Sequence, residues 1–228
     1  MSMKILGLSG SPIKNSNTDR AVKAILDASG LKSEFVKLSD INVRPCLACK
    51  RCVPDNICKQ EDDFQALALQ VREAEALVLG AYCPYGQIDA FTKAFLERLW
   101  SMRHVNNLNN GKFAVIVTSG VANDSLGEIN SKSMNPMATK FLAVFRVSTA
   151  IETSMRMERM DVIGSIKIRG NVPCLTCGEG TNCKMSGVPV LFGKGTIASS
   201  ELCVKMEDQK DVLEEISRMG KILHDRLS

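Results

Sequence analysis

The chain predicts an α/β fold: a doubly wound sheet of five parallel strands with helices on both faces. Three observations carry this. Five short apolar segments of the buried-strand type alternate with stretches whose apolar residues recur at helical spacing. The strand segments run out into loops of small, polar or cysteine-bearing residues. No proline- or serine-rich linker, internal repeat or low-complexity tract divides the 228 residues. One domain over 1–228 follows, with a cysteine-rich loop at 45–60 and a cysteine-containing extension at about 170–205.

Lys4 to Ser9 is the first strand: short, apolar and ending in small residues. Ser9-Gly-Ser11-Pro-Ile-Lys-Asn15-Ser16-Asn17-Thr18 follows, and then Ala21, Val22, Ile25 and Leu26 at helical spacing. Strand, hydroxyl-rich loop and helix N-terminus make an anion site, because unpaired N–H groups and the helix dipole favour a phosphate. The lysine-bearing nucleotide loop and the three-glycine dinucleotide fingerprint are both missing. The plain alternative is a strand-to-helix turn capped by Ser16 or Thr18.

Ser33 to Leu38 forms the second strand, and the cysteine loop follows it. A helix is expected from Asp63 to Glu75, then a third strand, Ala76 to Gly80, leaving through Ala81-Tyr82-Cys83-Pro84-Tyr85-Gly86. Asp89 to His104 reads as a helix with Phe91, Ala94, Phe95, Leu99 and Met102 inward. The fourth strand, Lys112 to Val117, exits through Thr118-Ser119-Gly120. A long helix fits Pro136 to about Arg159, with the proline in its first turn. Val162 to Ile168 is the fifth strand. About Asp208 to Arg226 is the last helix, with Val212, Ile216, Met219, Leu223 and Leu227 on one face.

Four cysteines, Cys46, Cys49, Cys52 and Cys58, fall within thirteen residues. So short a loop buries no core of its own. Four thiolates at these spacings suit an iron–sulfur cluster or zinc, and three of them two residues apart favour a cluster over a zinc ribbon's two distant pairs. Reduced thiols packed as small hydrophobes are the bland alternative. Cys174, Cys177 and Cys183 form a second group with a fourth ligand wanting; Cys203, Cys83 or another subunit would have to supply it. A metal there competes with unliganded thiols or a redox pair. Cys83 and Cys203 read as packing residues, Tyr82 and Tyr85 as ring-stacking or core residues, and His104 and His224 as structural.

The formal charge is +4, the basic residues are scattered and aromatics make up 5%. A nucleic-acid surface is not indicated. No apolar run reaches membrane-spanning length, and the N-terminal run lacks a signal-peptide pattern. Nine cysteines without an export signal point to a reducing cytoplasm.

Residues 3 to about 130 resemble the flavodoxin-like NAD(P)H-dependent FMN reductases. Gly7-Leu-Ser-Gly-Ser11-Pro with Asn17-Thr18, Leu79-Gly80 with Tyr85-Gly86, and Thr118-Ser119-Gly120 carry the resemblance. The compact cysteine run is similar to that of the iron–sulfur flavoproteins, a branch with a four-iron cluster in that place. The resemblance implies a strand order of 2-1-3-4-5 and FMN bound by Ser9, Ser11, Ser16, Asn17 and Thr18 at its phosphate. Tyr85, Gly86, Thr118, Ser119 and Gly120 would flank the ring. It also implies a [4Fe-4S] cluster on Cys46, Cys49, Cys52 and Cys58. Where the family usually reads Ser-Pro-Val-Tyr, this chain has Ala81-Tyr82-Cys83-Pro84-Tyr85.

The function expected is electron transfer between FMN and the cluster, with NAD(P)H, ferredoxin or a small acceptor as partner. A flavodoxin-like binding module with structural zinc, and a cluster-free quinone reductase, are the other classes. Strand spacing puts the cysteine loop roughly 10–14 Å from the flavin loops within one subunit, so a homodimer or larger assembly is expected.

Overall fold

The computed structural model describes residues 4–120 and 143–228. Strands β1 (Ile5–Ser9), β2 (Ser33–Lys37), β3 (Ala76–Tyr82), β4 (Phe113–Gly120) and β5 (Asp161–Arg169) form one parallel sheet in the order β2-β1-β3-β4-β5. The helices are α1 (Asn17–Ser29), α2 (Phe64–Glu73), α3 (Ala90–Leu99), α4 (Ala143–Met157), the short α5 (Val188–Phe192) and α6 (Lys210–Leu227). The fold is flavodoxin-like, as expected.

Right-handed crossovers decide which face each helix covers. The path from β1 to β2 runs one way along the sheet, and every later crossover runs the other way. Helix α1 therefore lies on one face with α6, and α2, α3 and α4 lie on the opposite one. Side-chain alternation along each strand feeds both cores. Leu6, Leu8, Leu77, Leu79, Ala114 and Ile116 pack with Phe64, Phe95, Leu99 and Ile151. Ile5, Ala76, Val78, Val115 and Val117 pack with Val22, Ile25, Ile216 and Met219. A bulge opposite Ala114–Val115 shifts the phase of β5, so Ile166 and Ile168 join the α1/α6 core while Val162 packs against the other.

Two close approaches fix the α1 side. A Cβ on Gly7 would come within 2.7 Å of Leu26, and one on Gly80 within 2.7 Å of Thr18 and Val22. Only glycine lets α1 sit this low on β1 and β3. Helix α6 then packs on α1 through Gly220, where a Cβ would lie 2.7 Å from the carbonyl carbon of Ala28.

Element ends differ from expectation in informative ways. Strand β4 continues through Thr118, Ser119 and Gly120, which pair with Lys167, Ile168 and Arg169 instead of leaving the sheet. Helix α3 stops at Leu99 and tightens into a 3₁₀ turn at Trp100–Met102. Phe91 is 37% exposed rather than inward. The expected helix start at Pro136 lies outside the described residues. The extension at 170–208 consists of short turns and α5, and it returns to the sheet edge before α6.

Gly220 allows a test in which sign decides. In a free helix Gly→Ala stabilises by about 1 kcal/mol. At Gly220 the added methyl meets α1 backbone, so Gly220→Ala is expected to lower the urea midpoint at unchanged m-value, by about 1–3 kcal/mol of stability.

Candidate functional site: a cleft over the strand ends and a cysteine loop beside it

A cleft of about 670 Å³ opens over the C-terminal ends of β1, β3, β4 and β5. That is the crevice where strand order reverses in an open α/β sheet. One wall is the loop into α1. Ser16 is the N-cap; its hydroxyl accepts from Asp19 N–H, and the Asp19 carboxylate accepts in return from Ser16 N–H. This capping box leaves the N–H groups of Asn17 and Thr18 without intrahelical acceptors. The Asp19 carboxylate is neutralised by Lys37, 2.7 Å away, and also accepts the Ser9 hydroxyl at 2.6 Å. The helix dipole at this end therefore keeps its attraction for an anion.

The opposite wall comes from sequence far downstream. Gly170, Asn171, Cys203, Val204, Lys205, Glu207 and Asp208 line it. Amide side chains hold it in place. Asn171 donates to Val204 C=O at 3.0 Å and accepts from Val204 N–H at 2.7 Å. Asn17 donates to the same carbonyl and accepts from Met206 N–H. Buried Gln209 spans Arg169 in the same two-way manner. Arg20 links the walls through its ion pair with Glu207 at 2.6 Å.

The floor is rigid. Asp89 caps α3, accepting from Thr92 N–H and hydroxyl and from Tyr82 N–H. Burial pushes the Asp89 carboxyl above its usual range. Next to it, burial and then the charge of Asp89 push the Cys83 thiol up to about 12, which makes it an inert packing group.

The cysteine loop is a separate structure with a tied neck. Asn42 and Asp63 exchange two hydrogen bonds, Arg44 N–H donates to Asp62 at 3.0 Å, and Gln60 donates to Pro45 C=O. Arg98 of α3 locks the neck from below. Its two terminal nitrogens meet the two oxygens of Asp62 at 2.6 and 2.9 Å, and neither side chain has more than 1% of its surface exposed. Beyond the neck, Ala48, Lys50 and Asn56 all have left-handed φ near 50–60°. Each such residue costs about 1–2 kcal/mol without a compensating contact. Asn56 meets one, bonding Val105 N–H at 2.8 Å.

The thiols differ in setting. Cys52 is buried, Cys46 and Cys58 are half-buried and Cys49 is exposed. Burial raises the Cys52 thiol above its ordinary value, and Cys58, Cys46 and Cys49 add to the rise. A hydrogen bond from Arg51 lowers Cys49. His104 Nε2 lies 3.6 Å from the Cys52 sulfur, its ring edge-on to Trp100 at 4.2 Å.

The sequence profile of the NADPH-dependent FMN reductases matches residues 3–153. The chain belongs to the NADPH-dependent FMN reductase family. An iron–sulfur flavoprotein of Methanocaldococcus jannaschii is 32% identical over 111 residues, which is 47% of this chain and 58% of that one. An iron–sulfur flavoprotein of Archaeoglobus fulgidus is 32% identical over 125 residues, covering 53% and 61%. The chain thus spans about three-fifths of the length of these curated relatives. In fold it is similar to an NAD(P)H:quinone oxidoreductase from Methanothermobacter marburgensis, with a TM-score of 0.62 at 14% identity over 98% of this chain and 96% of that one.

Within this FMN reductase fold, Ser11, Ser16, Asn17, Thr18, Ser119 and Gly120 line the cleft together. Ser9 and Thr118 are buried beneath it, bonded to Asp19 and to Val144 C=O. Tyr85 and Gly86 are not among the lining residues. Tyr85 stands fully exposed with φ 50°, and Gly86 borders a separate depression with Arg146 and Val147. Tyr82, rather than Tyr85, enters the cleft wall, and Cys203 is a wall residue rather than packing. Among the described residues, no three His, Cys, Asp or Glu side chains converge on one ion-sized point. Cys174 and Cys177 instead accept backbone N–H groups of Gly187 and Glu179. The downstream wall carried no motif; its one signal was that Gly170 follows a parallel strand and must emerge at the same sheet edge.

The neck gives a pH test. Burial raises Asp62, but the Arg98 guanidinium and Arg44 N–H outweigh it and hold the carboxyl below its usual value. A depressed folded-state pKa adds stability above the ordinary carboxylate range, and that stability is lost as pH falls through the lowered value. Urea unfolding between about pH 6 and 2 should show this acid loss. Asp62→Asn should be less stable at pH 6 and show a shallower acid slope.

Proposed function

We propose that this protein is an FMN-dependent oxidoreductase passing electrons between a flavin in the cleft and a [4Fe-4S] cluster on Cys46, Cys49, Cys52 and Cys58. NAD(P)H, ferredoxin or a small acceptor is the partner. The observation that carries the reading is the joining of an anion-suited helix end to a strand-end cleft of about 670 Å³, a size that suits a ligand of this class. Ser11 and Ser16 hydroxyls with the Asn17 and Thr18 N–H groups are the phosphate's donors. Tyr82, Ser119 and Gly120 border the ring's place. Bound there, the flavin supplies the redox chemistry, and the protein sets its orientation, access and electrostatics.

The donor set of the cysteine loop fits a cluster better than zinc. Cys46, Cys49 and Cys52 are set two residues apart, the spacing of cluster ligation rather than of a zinc ribbon's two distant pairs. The left-handed residues between them turn backbone toward sulfur, as Ala48 N–H does to Cys46 at 3.4 Å. No cysteine of this loop lines the cleft. A homodimer that sets each loop against the neighbouring cleft would shorten the electron path, with reciprocal contacts under two-fold symmetry. Light scattering of a strictly monomeric species with millisecond transfer between the centres would refute that arrangement.

Ser11→Asp puts a carboxylate against the phosphate. Repulsion at about 4 Å near a protein surface amounts to a few kcal/mol, so FMN affinity by fluorescence titration should fall at least tenfold; unchanged affinity would refute the phosphate assignment. Cys49→Ala, prepared anaerobically, should lose iron while keeping FMN. Wild-type protein holding zinc and no iron would remove the cluster reading.

A further inference from the structure

Arg98 is among the largest fully buried side chains of the molecule. Its terminal nitrogens are satisfied by Asp62 and by Arg44 C=O at 2.8 Å, and its plane lies over the Phe64 ring at 4.5 Å. The remaining nitrogen, Nε, is buried with no hydrogen-bond partner. Structural anchoring uses the two ends of the guanidinium fork and leaves this donor idle. A buried N–H is normally paired, so an orphan asks for an explanation. Cys58, the last of the four cysteines, packs against the same core at Phe64 that the guanidinium covers, and so lies near this cation.

We infer that Arg98 is a positioning residue for the cysteine site: its guanidinium faces the Cys58 sulfur, donates to it when the sulfur is a cluster ligand, and raises the cluster's reduction potential. This rests on the four-iron reading given above. Net charge and hydrogen bonds to sulfur set such potentials. The added electron makes the site more negative, and a nearby fixed cation favours the more negative state. No bond forms or breaks; the single electron comes from the titrant. Arg98 suits the role because arginine stays charged at all working pH values and lies on a helix packed in the core. Asp62 works against it: the carboxylate that holds the guanidinium in place also screens its charge from Cys58. The pair therefore sets the field at the sulfur as a difference between two opposed charges.

The test is a dithionite titration of anaerobically reconstituted protein, followed by electron paramagnetic resonance with iron counted in each sample. Arg98→Gln should lower the midpoint by at least 59 mV, a tenfold change in the ratio of reduced to oxidised cluster for one electron. Arg98→Lys, which keeps the charge, should recover most of that shift. Asp62→Asn removes the opposing carboxylate and should move the midpoint upward. A merely structural anchor would shift both sites' variants in the same direction or neither. If Arg98→Gln does not fold, the sign for Asp62→Asn decides alone. Full iron with an unchanged midpoint in Arg98→Gln, or a downward shift in Asp62→Asn, overturns the role. Wild-type protein that takes up no iron overturns the cluster reading and this role with it.

Discussion

Helix α1 can lie against β1 and β3 only because Gly7 and Gly80 give it room, and much of the molecule follows from that approach. Any side chain at either position would strike Leu26, Val22 or Thr18. The low seat of α1 brings its uncapped N–H groups to the level of the strand ends. It also sets the height at which α6 packs, since Gly220 rests on Ala28 of α1. Helix α6 in turn fixes Gln209 and the returning chain at 203–208, which forms the far wall of the cleft. Two walls whose clasping residues Asn17 and Val204 are 187 residues apart thus take their spacing from one helix–sheet contact.

The cysteine loop is held by a different principle. Its residues bury little, and three non-glycine positions are left-handed, so it does not stabilise itself. Its geometry is imposed at the neck, where Arg98 and Asp62 are buried together. Such a pair gains little net stability, because the cost of removing both charges from water offsets most of their attraction. Losing one partner is far more costly, by about 3–5 kcal/mol, since the other is left buried and unpaired. The pair thus acts as a specificity device: it admits one arrangement of the neck and penalises the rest.

The fold was largely legible because buried parallel strands write a plain signal. Five apolar runs with small residues at their exits, set between helical periods, leave few topologies once crossovers are right-handed. Strand ends were less legible: Thr118-Ser119-Gly120 has loop composition, yet β5 is long enough to pair with all three residues. Half of the cleft could be read, since serine and asparagine before a helix carry their mechanism in the sequence. The other half could not. Asn171 and Gln209 act by clasping backbone across long separations, and isolated amides at 171 and 209 look like any surface polar residues. Arg98 was hidden for the same reason: on a helix its charge suggests solvent, and only the fold shows a buried carboxylate above it.

The two centres are consequently placed by unlike means. The cleft stands mainly on glycine contacts and amide clasps at the sheet edge, with the Arg20–Glu207 and Lys37–Asp19 ion pairs added at its walls. The cysteine loop stands on a charged pair set one helix away, whose fields reach the sulfur atoms as well as each other. Arg98 and Asp62 are buried, where charges are screened less than at the surface, so the anchoring of the loop and its electrostatics are coupled. A neutral anchor of the same shape would hold the neck without placing charge beneath the thiols. Because Arg98 and Asp62 carry a full positive and a full negative charge, any change to the anchor also changes the field at sulfur.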